Sequence, residues 1–171
     1  MPDNRVSVSS YDEDFDAWAI YQAAALRAVS EAVGHRTAPS ADLLGGLDWA
    51  NLAEEIEALA KKDRRELGSR LSVLVEHLTK LRFSTQASPR AGWIETVMRE
   101  REEVAELLLD SPSLRREVPA LLARRSGVAI ERAGQALSSH GDMVGACAAR
   151  LAAGCEPEEA LGASIPGEPS V

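Results

Sequence analysis

The chain has 171 residues, 45% hydrophobic and 4% aromatic, with a formal net charge of −8. That is enough apolar material for one core. The acidic balance argues against a nucleic-acid surface, which needs clustered positive charge. No apolar run approaches the ~18 residues of a membrane span, and Met1 to Ser10 lacks the basic-then-apolar order of a secretion signal, so the expected location is the cytoplasm.

Residues 1–10 read as a flexible arm. Ser10 and Glu13 have the spacing of a capping box ahead of a helix starting near Asp12. Its Phe15, Trp18, Gln22, Ala25, Val29 and Val33 recur at three and four, and Gly34 ends it. Residues 34–47 form a linker with Pro39 and Gly45-Gly46, and a short turn starting at Ser40. Asp48 is the N-cap of the next helix, and Leu47 with Leu52 has the spacing of a hydrophobic staple. Leu52, Ile56 and Leu59 predict that helix's apolar stripe. The next stripe position is Asp63, after which Leu67, Leu71, Leu74, Leu78 and Leu81 resume it. The gap leaves two readings open, a corner near 60–63 or one long helix over 49–83.

A turn with Pro89 precedes a helix carrying Ile94, Val97, Met98, Val104, Ala105 and Leu108. Ser111-Pro112 is a start signal for a region with Leu114, Val118, Leu121, Leu122, Val128 and Ala129, which Pro119 is expected either to kink or to split by setting off a first turn. Gly141-Asp142 opens a helix from Met143 to Ala153, stopped by Gly154. Residues 156–162 make one more turn, and 163–171 a disordered tail. With no aromatic residue after Trp93, the C-terminal part is expected to pack on Leu, Val, Ala and Ile. The abundance of Ala, Leu, Glu and Arg favours helix throughout. The expected fold is all-α, an antiparallel helical bundle of five or six helices forming a single domain over 11–162.

Glu54, Glu55, Glu57 and His77 invite a metal reading, because helical bundles hold metals with inward carboxylates and Glu-x-x-His pairs. There is no Glu-x-x-His here. At ~100° per residue, Glu54 lies opposite the Leu stripe and Glu57 beside it. A solvated or interface acidic face is expected, with no metal and no cofactor. His77 falls at the boundary of its stripe, as a half-buried, hydrogen-bonded histidine would. Lys61, Lys62, Arg64, Arg65 and Arg70 are interrupted by Asp63 and Glu66, the pattern of a solvated face rather than a nucleic-acid patch. Cys147 and Cys155 are too far apart on one helix for a disulfide and read as reduced thiols. Arg101, among Ile94, Val97, Met98, Ala105 and Leu108, falls on a buried face and needs a carboxylate or several carbonyls. Glu55 and Asp63 are candidate partners, so Glu55, Asp63, His77 and Arg101 make a candidate polar cluster.

Two motifs carry a resemblance. Tyr11-Asp12-Glu13-Asp14-Phe15-Asp16-Ala17-Trp18 is followed by Leu47-Asp48-Trp49-Ala50-Asn51-Leu52-Ala53-Glu54-Glu55-Ile56-Glu57. Further on come His77-Leu78 with Lys80, then Trp93, Thr96, Arg101 and Ser111-Pro112-Ser113-Leu114. In ordered succession over roughly 11–125, the chain resembles the bacterial family known as domain of unknown function 29, with Ala50 where that family usually has Glu. The resemblance implies an all-helical fold and no activity. No nucleophile elbow, phosphate loop or dinucleotide fingerprint is present. The expected function is a small helical protein-interaction module whose partner is another protein or a second copy, a homodimer joined through Met143, Val144, Cys147 and Leu151. The alternative is a small enzyme or ligand-binding domain using an interhelical cleft with Arg101, His77 and Glu55.

Overall fold

The computed structural model describes residues 9–34, 46–152, 154–162 and 166. Among them are six α-helices, one 3-10 helix and no strand. These are α1 (Phe15–Gly34), α2 (Trp49–Phe83), α3 (Arg90–Asp110), the 3-10 helix Pro112–Glu117, α4 (Val118–Ser139), α5 (Met143–Arg150) and α6 (Pro157–Leu161). The fold is all-α. The arm over 1–8, the linker core over 35–45 with its Ser40 turn, and all of the tail except Pro166 lie outside the described residues.

The chain divides into two compact units, Met1–Arg65 with Leu109–Leu114, and Glu66–Leu108 with Arg115–Val171. In the first, α1 starts at Phe15, later than the capping box suggested. Ser10 N–H donates to Glu13 Oε2 at 3.0 Å, one half of that box, while Asp14 Oδ1 caps the helix by accepting from Ala17 N–H at 3.0 Å. Asp14 also accepts from Ser113 N–H at 2.7 Å and Ser113 Oγ at 2.8 Å, and Ser111 Oγ accepts from Asp16 N–H at 3.1 Å. The opening motif and the Ser111-Pro112-Ser113-Leu114 motif therefore meet in one junction. Asp16 also pairs with Arg64, and Arg27 with Glu57, so α1 and the start of α2 run antiparallel.

Asp48 caps α2 as expected, accepting from Asn51 N–H at 3.1 Å. Leu47 and Leu52 are both exposed, so they do not staple into the core. The buried seam of α2 is Ala53, Ala60, Leu67, Leu71, Leu74, Leu78 and Leu81, whereas Leu59 is exposed. On this seam there is no gap at Asp63, and α2 is one helix of 35 residues.

In the second unit, α2 and α3 run antiparallel, with Arg70 bonded to Glu100 and Arg90 Nη1 donating to the Leu81 carbonyl at 2.8 Å. Pro119 stands in the first turn of α4, directly after the 3-10 helix, so of the two expected effects of its ring it is the split that occurs. α5 packs on α4. The cluster of Leu137, Ala146 and Ala149 is completed by Phe83 and Trp93. The C-terminal helices thus borrow aromatic rings from earlier in the chain, against the expectation that only aliphatic side chains serve them.

Candidate functional site

α5 is short, and its position depends on its first turn. Asp142, 3% exposed, caps it by accepting from Gly145 N–H at 2.9 Å. The same carboxylate accepts from Ser84 Oγ at 2.8 Å, Thr85 N–H at 2.8 Å and Thr85 Oγ1 at 2.9 Å. Burial opposes ionisation of Asp142, but these donors outweigh it and bring its pKa down to about 2. The preceding Gly141 has φ +81°, a conformation glycine adopts without strain. α5 is thereby fastened to the turn that follows α2.

Its two faces differ. Gly145, Ala146 and Ala149 are buried, and a Cβ on Gly145 would lie 2.8 Å from both Asp142 Oδ2 and the Phe83 carbonyl oxygen. The other face carries Met143 and Val144 at 58% and 72% exposure, with Cys147 also exposed, and Leu151, the C-cap that follows the helix, is 87% exposed. Val144, Cys147 and Leu151 fall at i, i+3 and i+7, one stripe of a helix. The helix contains no acidic residue, and its only charge is Arg150.

The polar candidates fall in different units. Glu55 is exposed and Asp63 half-buried in the first unit, while His77 and Arg101 belong to the second. Arg101 is half-buried; its Nε donates to the Ala160 carbonyl at 3.0 Å and its Nη2 to the Glu159 carbonyl at 2.8 Å. It therefore holds the last carbonyls of α6. The buried face of α3 is Val97, Glu100, Val104 and Leu108, whereas Met98 and Ala105 are exposed. A half-buried guanidinium–carboxylate network centres on Arg70, paired with Glu66 at 2.8 Å, Glu103 at 2.9 Å and Glu100 at 3.2 Å, of which Glu100 is the buried member. Sequence reasoning missed Glu100 as its inward member. The signal was present in its spacing, three after Val97 and four before Val104.

His77 is half-buried, and its Nδ1–H donates to the Val73 carbonyl at 3.0 Å. Burial lowers its pKa against the opposing effect of that hydrogen bond. Glu57 pairs with Lys61 and Arg27. In the basic segment, Arg64 is bonded to Asp16 and Arg65 Nε donates to the Lys61 carbonyl. Cys155 is half-buried, and burial raises its pKa to about 12, keeping the thiol protonated. Among the described residues, no three His, Cys, Asp or Glu side chains converge to hold a metal ion, and no helix is long and apolar enough to cross a membrane.

The model of the family described as Domain of unknown function DUF29 matches residues 10–142. The chain belongs to that family. The match opens at Ser10, includes the junction of Asp14 with Ser113, and closes on Asp142, so α5 and α6 lie beyond it. Among solved structures, this DUF29 chain is similar to an alpha-helical protein of unknown function from Rhodospirillum rubrum, at 24% identity and a TM-score of 0.62. The similarity covers 78% of this chain and 77% of that one, and it is a likeness of fold. No curated protein is matched by the chain.

Proposed function

We propose that the chain is a helical protein-interaction module of the bacterial cytoplasm, and that it forms a homodimer through the outer face of α5. The observation that carries this reading is the exposed stripe of Met143, Val144, Cys147 and Leu151 on a helix locked in place by Asp142. A large apolar surface on a rigid element loses little conformational entropy on docking. A second copy is the occupant that a self-complementary apolar stripe favours. Two molecules each carrying −8 repel one another, and α5 offers a contact surface without acidic residues. A single stripe facing its own copy across a twofold axis is self-complementary. The free thiols of Cys147 and Cys155 suit a reducing compartment. Arg101 and His77 spend their polar groups on backbone carbonyls, which does not favour a cleft built on them.

Sedimentation equilibrium over a concentration series tests the reading. The expected result is a dimer mass that falls to the monomer in Val144→Glu and in Leu151→Glu, with unchanged circular dichroism and Tm because both side chains are exposed. A wild-type monomer at several hundred micromolar, or a dimer that survives both substitutions, would refute it.

A further inference from the structure

In the second unit a cavity of about 400 Å³ lies beside α4, and none of the stripe residues on α5 lines it. Its floor is one face of α4, where Pro119, Leu122, Ser126, Gly127 and Ile130 recur at helical spacing. The opposite wall is the segment that leads into α6, with Ala152, Gly154, Cys155 and Pro157. The two walls are anchored separately. The floor helix is fixed by the core, in which Leu121, Ala129 and Ala133 are buried. The opposite segment is fixed from α2 and α3. Arg101 donates to the Glu159 and Ala160 carbonyls at 2.8 and 3.0 Å, and Arg82 pairs with the Glu159 carboxylate. At Gly154, with φ +121°, an added Cβ would lie 4.0 Å from Ser126 Cβ, so the walls meet there. At Gly127 an added Cβ would meet nothing within 4 Å, so the floor there is open.

The polar groups of the lining are few and mostly neutral. The Cys155 thiol stays protonated, because burial raises its pKa to about 12. Ser126 is 6% exposed, and its Oγ donates to the Leu122 carbonyl at 2.8 Å, which leaves the lone pairs of that oxygen as acceptors. The lining holds no Lys or Arg, and its one carboxylate belongs to an exposed residue, Glu156. We propose that this cavity binds a small neutral molecule, apolar over most of its surface and carrying one N–H or O–H donor. Aliphatic walls supply affinity for such a molecule, and a single buried acceptor, Ser126 Oγ, sets its orientation. A perturbed nucleophile in the wall of the same concavity is a further mark of a ligand site. An anion would meet the Glu156 carboxylate with no cation in the lining to offset it. A cation would give up its hydration to aliphatic side chains in return for one solvated carboxylate. The volume is at the small end of ligand pockets, which suits a compact ring and excludes a bulky ligand.

Isothermal titration calorimetry on the full chain decides the matter, with one ring in three charge states as the probes: indole, indole-3-acetate and tryptamine. The expected result is saturable binding of indole, and weaker binding of both charged relatives. Gly127→Leu places a side chain in the open floor and should weaken indole binding about tenfold or more. Its Tm reports whether the fold is kept, and Gly127→Ala, which adds a single methyl group, should weaken binding in the same direction. Ser126→Ala removes the acceptor and should weaken indole about three- to tenfold. The affinity of 1-methylindole, which has no N–H, should not change in that variant. No saturable heat with indole overturns the proposal. So does a charged relative that binds as tightly as indole, or an indole affinity unchanged in the Gly127 variants or in Ser126→Ala. None of these outcomes bears on the dimer, because Met143, Val144, Cys147 and Leu151 are untouched in every variant.

Discussion

Asp142 is the residue on which the position of α5 depends, and its chemistry predicts how the protein responds to acid. Four donors from Ser84, Thr85 and Gly145 meet one carboxylate, so deleting it removes a helix cap and leaves buried donors without an acceptor. Asp142→Ala should destabilise the protein by about 2–3 kcal/mol in urea denaturation at neutral pH. The folded pKa of about 2 lies below the ordinary aspartate value of 3.8. The carboxylate therefore contributes stability in full above the unfolded pKa, and that stability is lost as pH falls from 3.8 through about 2. Asp142→Asn should flatten the acid limb of the stability curve in that window. An acid limb identical to the wild type would show that the charge on Asp142 is not what the donors stabilise.

At the scale of elements, caps and breakers were legible in the sequence, and the buried faces were less so. Asp48, Asp142 and Pro119 act where the sequence places them because capping and ring sterics depend on a few neighbouring residues. The stripe of α2 was misplaced because Leu52 and Leu59 outweigh Ala53 and Ala60 in any reading by hydrophobicity, whereas the structure buries the alanines completely or nearly so. Small residues permit close approach of a partner helix, and only that partner decides which face turns inward. The same error put Arg101 on the core face of α3, when Glu100 holds that position. It also left a corner near 60–63 open beside the single long helix that forms. Glycines allow the packing of α4 and α5 to be tested directly. At Gly145 an added Cβ meets a backbone carbonyl that cannot move cheaply, while at Gly127, within α4, it meets nothing within 4 Å. Gly145→Ala should therefore cost about 1–3 kcal/mol by overpacking. Gly127→Ala should instead raise stability by about 0.5–1 kcal/mol by restricting the unfolded chain. Paired thermal melts check both signs, and a loss in both variants would mean that the face of α4 around Gly127 is covered.

At the scale of the whole molecule, net charge sets a term that no single contact reveals. Each chain carries −8 at neutral pH, with a sequence pI near 5.0, so two copies approach against a mutual repulsion that acts over a Debye length, ~10 Å at 0.1 M salt. The proposed contact on α5 is apolar and holds no acid, so salt has little attraction to weaken there and much repulsion to screen. The dimer should tighten as salt rises from 0.05 M to 0.5 M, by about two- to tenfold in Kd. An interface built on ion pairs would weaken over the same range, so the sign of the salt dependence separates the two. Lowering pH toward 5 should act in the same direction, because the chain approaches neutrality. α5 stays anchored through that change, since Asp142 remains ionised down to about 2. Sedimentation equilibrium at three salt concentrations and two pH values measures both effects, and a Kd that rises with salt would remove α5 as the contact surface.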